Sequence, residues 1–142
     1  MYLKDLISLA RIALILNKSQ ESILNTIVQK TLLKYSYSIN IRLSDRTYKT
    51  SSKEQIEQLV KLIPIKYLKY KKEVFDCDDF SFTFIGLCRL IIPNFAVGII
   101  WNDKHAFNFF IDDKLNVWGI EPQTGKIFKL PLNKSKVQIM II

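Results

Sequence analysis

Two cysteines, one histidine and a few well-placed carboxylates are the side chains of this 142-residue sequence that can do covalent chemistry. Cys77 lies in the run Asp76-Cys77-Asp78-Asp79, just before an apolar stretch that begins at Phe80. His105, the only histidine, follows the polar turn Asn102-Asp103-Lys104. Glu121 closes the stretch Val117–Glu121 and precedes Pro122. A thiol at a helix start, an imidazole on a later strand and a carboxylate on the strand after it are the parts of a nucleophile triad. The sulfur attacks, the imidazole moves the proton, and the carboxylate orients the ring.

Each residue also has a plainer role. Asp76 fits a helix N-cap, with Asp79 as its reciprocal partner three residues on. Cys77 is then the first helical residue, where free N–H groups and the helix dipole favour a thiolate. The Cys77 backbone N–H is in turn a candidate oxyanion donor. Read plainly, Cys77 is a structural cysteine, and Cys88, set among Leu87, Leu90 and Ile91, is taken as one. His105 is either a packing residue or a base at the mouth of a groove walled by Phe107, Phe109 and Ile111. Glu121 is either an edge carboxylate or the orienter of His105. Strand register separates these readings. If Ile111 pairs with Leu115, His105 sits directly opposite Glu121. If the turn centres on Lys114-Leu115, the two lie on opposite faces of the hairpin. The triad therefore requires an even register, or a bulge that restores parity.

The carboxylates Asp76, Asp78 and Asp79 repel a neighbouring thiolate. Capping can engage Asp76 and Asp79, and a bound Ca²⁺ can use Asp78 or Asp79, since clustered carboxylates suit a hard cation. Solvated acids at a helix start are the plainer explanation.

Stepping outward, the elements that must position these residues read as α+β. Apolar spacing predicts a helix over Tyr2 to Leu16, a break around Ser19 and a second helix over Glu21 to Lys34, together a helical hairpin. Tyr35 to Leu43 alternates as a strand, Ser44-Asp45-Arg46 turns, and Tyr48 begins a return strand. Ser51 or Ser52 caps a helix that runs to Ile63 and is ended by Pro64. Phe80 to Ile92 is the nucleophile helix. Strands follow over 95–101, 105–112, 117–121 and 137–142. One domain spans 1–142, with a helical hairpin and accessory elements in 1–64 and the nucleophile helix with an antiparallel sheet in 65–142.

Apolar residues at 49% and charged residues at 24% exclude a disordered chain. The net charge of +8 favours acidic partners. Its densest stretch, Lys66-Tyr67-Leu68-Lys69-Tyr70-Lys71-Lys72, is a weak nucleic-acid candidate, read more simply as a solvated lysine face with two core tyrosines. Cys77 and Cys88 on one helix stand about 16 Å apart along its axis, too far for a disulfide, which points to a cytoplasmic setting. No membrane span or signal peptide is read. The apolar end Ile139-Met140-Ile141-Ile142 calls for a paired strand or a partner subunit.

Three segments carry a resemblance. Phe75-Asp76-Cys77-Asp78-Asp79-Phe80, His105-Ala106-Phe107-Asn108 and Trp118-Gly119-Ile120-Glu121-Pro122-Gln123-Thr124-Gly125 resemble the papain-like cysteine protease domain at the C-terminus of the fairy-ring mushroom agglutinin and of related phage and viral proteins. The Asp-Cys-Asp-Asp run also resembles transglutaminase-like peptidases of the same broad fold group. The match covers residues 67–125. It implies a papain-like or transglutaminase-like core, with Cys77 as nucleophile, His105 as general base, Glu121 as orienter and dependence on calcium. A side-chain oxyanion donor is not evident upstream, where Gln55 and Gln58 are candidates by position only.

The resulting expectation is a thiol hydrolase, a cysteine peptidase or amidase acting on a peptide or amide substrate. The alternative is a non-catalytic binding protein, or a viral accessory or structural protein of the same fold that contacts nucleic acid.

Overall fold

In a computed structural model, residues 3–18 and 21–142 are described. The expected helix start at Tyr2 and the break at Ser19 lie outside the described residues. The order is α1 (Leu3–Lys18), β1 (Glu21–Leu24), α2 (Asn25–Leu32), β2 (Ile41–Arg42), β3 (Thr47–Thr50), α3 (Lys53–Leu62), α4 (Cys77–Ile91), β4 (Val97–Trp101), β5 (Ala106–Ile111), β6 (Val117–Glu121), β7 (Lys126–Lys129) and β8 (Ile139–Ile141).

Local signals set several of these bounds. Gln55 N–H donates to Ser52 Oγ at 3.3 Å, and Ser52 N–H donates to Gln55 Oε1 at 3.2 Å. This capping box starts α3 and commits Gln55 Oε1 to the helix start. Pro64 follows the C-cap Ile63 and opens a short 3-10 turn over Pro64–Tyr67.

Long-range pairing overrode local spacing elsewhere. The expected helix over 21–34 begins only at Asn25, because Glu21–Leu24 pairs antiparallel with β3, Glu21 opposite Thr50 and Leu24 opposite Thr47. The helical hairpin is therefore absent, and α1 lies against α3. The expected strand over 35–43 shrinks to β2 after a 3-10 turn at Ser38–Asn40, with Tyr37 and Ile39 exposed.

The main sheet has six strands in the order β2-β8-β4-β5-β6-β7. It is mixed, since β2 and β8 run parallel while the other neighbours are antiparallel. The expectation of a wholly antiparallel sheet is corrected here, and β7 went unread in the sequence. The C-terminal strand needs no partner subunit, because β8 is flanked by β2 and β4. Ser44 N–H, Ser44 Oγ and the Tyr48 hydroxyl all donate to Ile142 O, at 2.8, 2.8 and 3.1 Å.

Both sheet faces are covered, which explains the near-continuous apolar runs of β4 and β5. One face packs Phe110 and Ile120 against Ile56, Leu59 and Val60 of α3 and Phe80, Phe84 and Cys88 of α4. The other packs Phe109, Ile111 and Val117 against Val28 and Leu32 of α2 and against Tyr48. Gly98 lets β4, β5 and β8 close up, since a Cβ there would stand 2.2 Å from Ile141 O and 2.6 Å from the Phe109 ring.

Candidate functional site: a thiol at a helix start and a histidine–glutamate pair

Asp112 sets the register of the β5–β6 hairpin. Its Oδ1 accepts from the N–H groups of Lys114 and Asn116 at 2.9 and 2.8 Å. Its Oδ2 accepts from Asn116 Nδ2 at 3.0 Å and Trp118 Nε1 at 2.9 Å. Leu115 takes the left-handed conformation (φ 62°) to close the loop. Ile111 consequently pairs with Val117, and Asn108 with Ile120. The expected pairing of Ile111 with Leu115 is off by two residues. His105 is thus a diagonal neighbour of Glu121 rather than its direct opposite. A two-residue offset preserves parity, so the pair still shares a face.

His105 Nε2 lies 2.6 Å from Glu121 Oε2. The side chains are 36% and 25% exposed, enough to meet a ligand while limiting competing water. Both ends of the pair are braced. The side-chain Oδ1 of Asn102 accepts from the N–H groups of Lys104 and His105, each at 2.8 Å. The His105 ring stacks on Phe107 at 6.0 Å between centroids, and Phe107 packs on Phe128 at 5.6 Å. Gly125, at φ 72°, lets the β6–β7 turn close with its N–H on Glu121 O at 2.8 Å.

Cys77 opens α4 as expected, half-buried behind Asp76. Asp76 N–H donates to Asp79 Oδ2 at 3.1 Å, which assigns Asp79 to the capping box. Ser81 Oγ donates to Cys77 O at 2.8 Å. Fully buried Asn108 then donates through Nδ2 to Ser81 O at 3.0 Å and to Gly98 O at 3.1 Å. It pins the second turn of α4 to β4 and β5. The Phe82 ring meets Trp101 at 5.4 Å, and Trp101 pairs with Ala106. The first turns of α4 thus pack on the face of the sheet that carries Trp101, Asn108 and Phe110, whereas the His105 ring stacks on Phe107. Among the described residues no hydrogen bond joins Cys77 to His105, so direct contact is established for the histidine–glutamate pair alone.

Asn108 was missed as a site residue. Its signal was a polar amide inside the apolar run Phe107-Asn108-Phe109-Phe110, a placement that demands buried partners. Cys88 is as inert as its sequence suggested, since burial pushes its thiol far up. The tyrosines of the basic stretch are not core residues, Tyr67 being 47% and Tyr70 54% exposed.

For a cation, the grouping is Asp76, Cys77 and Asp78, whose ligand atoms lie within 4.8 Å of one another, rather than Asp78 with Asp79. A hydrogen bond from Asp78 holds Asp76 below the usual carboxylate range. The same bond, then burial and the charges of Asp76 and Asp79, pushes Asp78 above it. Asp76 and Asp78 supply the oxygen atoms a hard cation would take, and the Cys77 sulfur is the poor match.

No family model and no curated protein matches the chain. Solved structures do. One, titled "PSL1a-E64 complex", is 25% identical with a TM-score of 0.70, and the match covers 85% of this chain and 51% of that one. Another is Polyporus squamosus lectin bound to the human-type influenza-binding epitope Neu5Aca2-6Galb1-4GlcNAc. It is 24% identical with a TM-score of 0.65, over 85% of this chain and 49% of that one. The chain spans about half the length of those it matches.

These neighbours correct the expected family. Motifs confined to residues 67–125 pointed to a papain-like or transglutaminase-like cysteine protease, whereas a likeness over 85% of the chain leads to the PSL1a structure and to one titled for Polyporus squamosus lectin. The thiol protease, hydrolase and viral labels fall with that assignment, as do the peptide or amide substrate and the nucleic-acid partner. Among the described residues no helix is long and apolar enough to cross a membrane.

Proposed function

We propose that this chain is a domain of a lectin-like protein that carries a reactive-thiol site, with Cys77 as nucleophile, His105 as proton acceptor and Glu121 as orienter. The contact between His105 Nε2 and Glu121 Oε2 at 2.6 Å carries the reading. With Nε2 committed to Glu121, Nδ1 is the nitrogen left to take the thiol proton. The thiolate so formed is the nucleophile, and the imidazolium is stabilised by the Glu121 carboxylate. The Cys77 N–H, at the free end of α4, is a donor to negative charge beside the sulfur. The test is alkylation by iodoacetamide at neutral pH with mass-spectrometric site assignment. Rapid modification of Cys77 is expected while Cys88 stays unmodified. Equally slow modification of both would end the reading.

Asp76 and Asp78 fit Ca²⁺ as a companion, because a cation would draw their oxygens together and offset their charge beside the thiol. Calcium at 1 mM is then expected to raise the melting temperature of the wild type but not of Asp78→Asn. An equal response from both proteins rules this out.

A second reading, favoured by the sugar epitope in the Polyporus squamosus title, is non-catalytic carbohydrate binding. On a glycan array the chain would bind, and Cys77→Ala would bind equally well. A blank array sinks it.

A further inference from the structure

His105 belongs to a second feature besides its pair with Glu121. A cleft of about 470 Å³ opens between the 102–105 turn and residues 135–138, and His105 forms one wall. The cleft is polar, with Asn102 and Gln138 contributing amide groups and Ser135 a hydroxyl whose hydrogen goes to Asn133 Oδ1 at 2.8 Å. Two lysines, Lys104 and Lys136, line it, and among the described residues neither carries an ion pair. Asp103 is the single acid in the lining. The side-chain Oδ1 of Asn102 is already used by two backbone N–H groups. What Asn102 can still offer a ligand is therefore its amide N–H₂, a donor.

The donor count, the cationic excess and the shared histidine point one way. Unpaired ammonium groups in a concave polar site attract an anion and hydrogen-bond to it without first breaking an internal ion pair. We propose that this cleft is a carboxylate-binding subsite of the Cys77–His105–Glu121 site, so that the ligand preferred there is acidic. This rests on the thiol reading above and adds the class of group recognised beside it. The ligand's carboxylate sits with Lys104 and Lys136, and its reactive part extends past His105.

Two measurements on the full chain separate this inference from the thiol reading. The first is an amide NMR titration with malonate, using malonamide, its neutral counterpart, as control. Malonate is expected to shift the amides of residues 102–105 and 135–138, malonamide to leave them unmoved, and the Lys104→Gln/Lys136→Gln variant to respond to neither. Equal responses to both probes, no response, or a response that survives in the variant would overturn the subsite. The second compares iodoacetate with iodoacetamide on Cys77. The ratio of their rates is expected to fall about tenfold in the double variant. An unchanged ratio with Cys77 still reactive would show that the cleft does not serve the thiol, which overturns its place in the site. If Cys77 resists both reagents while malonate binds, the thiol reading fails and the carboxylate subsite stands.

Discussion

Alkylation of Cys77 by iodoacetamide at pH 7 slows by on the order of 10²-fold in His105→Ala and by roughly tenfold in Glu121→Gln, relative to the wild type. The ranking follows from geometry. Removing the imidazole removes the group assigned to take the thiol proton. Exchanging the Glu121 carboxylate for an amide keeps a hydrogen-bond acceptor 2.6 Å from Nε2 but deletes the charge that stabilises imidazolium. Cys88 does not blur the measurement, because it is 1% exposed and burial holds its thiol protonated. Stopped-flow or quenched-flow labelling reads the rate at Cys77 directly. Equal rates in the three proteins would leave the His105–Glu121 pair as a structural contact and Cys77 as an ordinary half-buried thiol.

Asn108→Ala destabilises the fold by about 3 kcal/mol. Its two donated hydrogen bonds, to Ser81 O and Gly98 O, are buried, so truncation removes both and opens a small void, which outweighs the relief of its own unpartnered Oδ1. At a typical urea dependence, the unfolding midpoint drops by about 1–2 M. The same variant also slows Cys77 labelling, because Asn108 holds the second turn of α4 against β5. Val28→Ala provides the comparison. It empties part of the opposite face, at a fully buried position on α2, and leaves Cys77 labelling at the wild-type rate. If both variants changed labelling alike, lost stability rather than lost positioning would be the cause.

Some of the site was readable because its causes are short-ranged. The Asp76–Asp79 capping box closes within three residues, so the start of α4 at Cys77 followed from composition alone. Side chains alternate along a strand with a period of two, so the demand that His105 and Glu121 share a face reduced to a parity condition, and the structure meets it. The condition left the offset open. That offset came from Asp112, whose carboxylate gathers Lys114, Asn116 and Trp118 and closes a longer loop than the one expected. Asp112 and Asn116, four residues apart, carried that turn signal in plain view.

Where the reading failed, the deciding partner was far away in sequence. Glu21–Leu24 has helical apolar spacing, yet the exposed edge of β3 captured it as a strand. Ile41 pairs with Met140 across most of the chain, and that contact, absent from any local window, makes the sheet mixed and covers the C-terminal strand. Short motifs likewise pointed to one family, while the fold as a whole resembles the PSL1a structure and one titled for Polyporus squamosus lectin. By itself the sequence determined the helix start that bears Cys77 and the burial of Cys88, and it reduced the sharing of a face by His105 and Glu121 to a parity condition, because capping and alternation act over a few residues. Only the tertiary structure decided the Asn108 anchor beneath α4 and the lysine-lined cleft beside His105. Each of these depends on segments brought together by a core whose contacts no local pattern encodes.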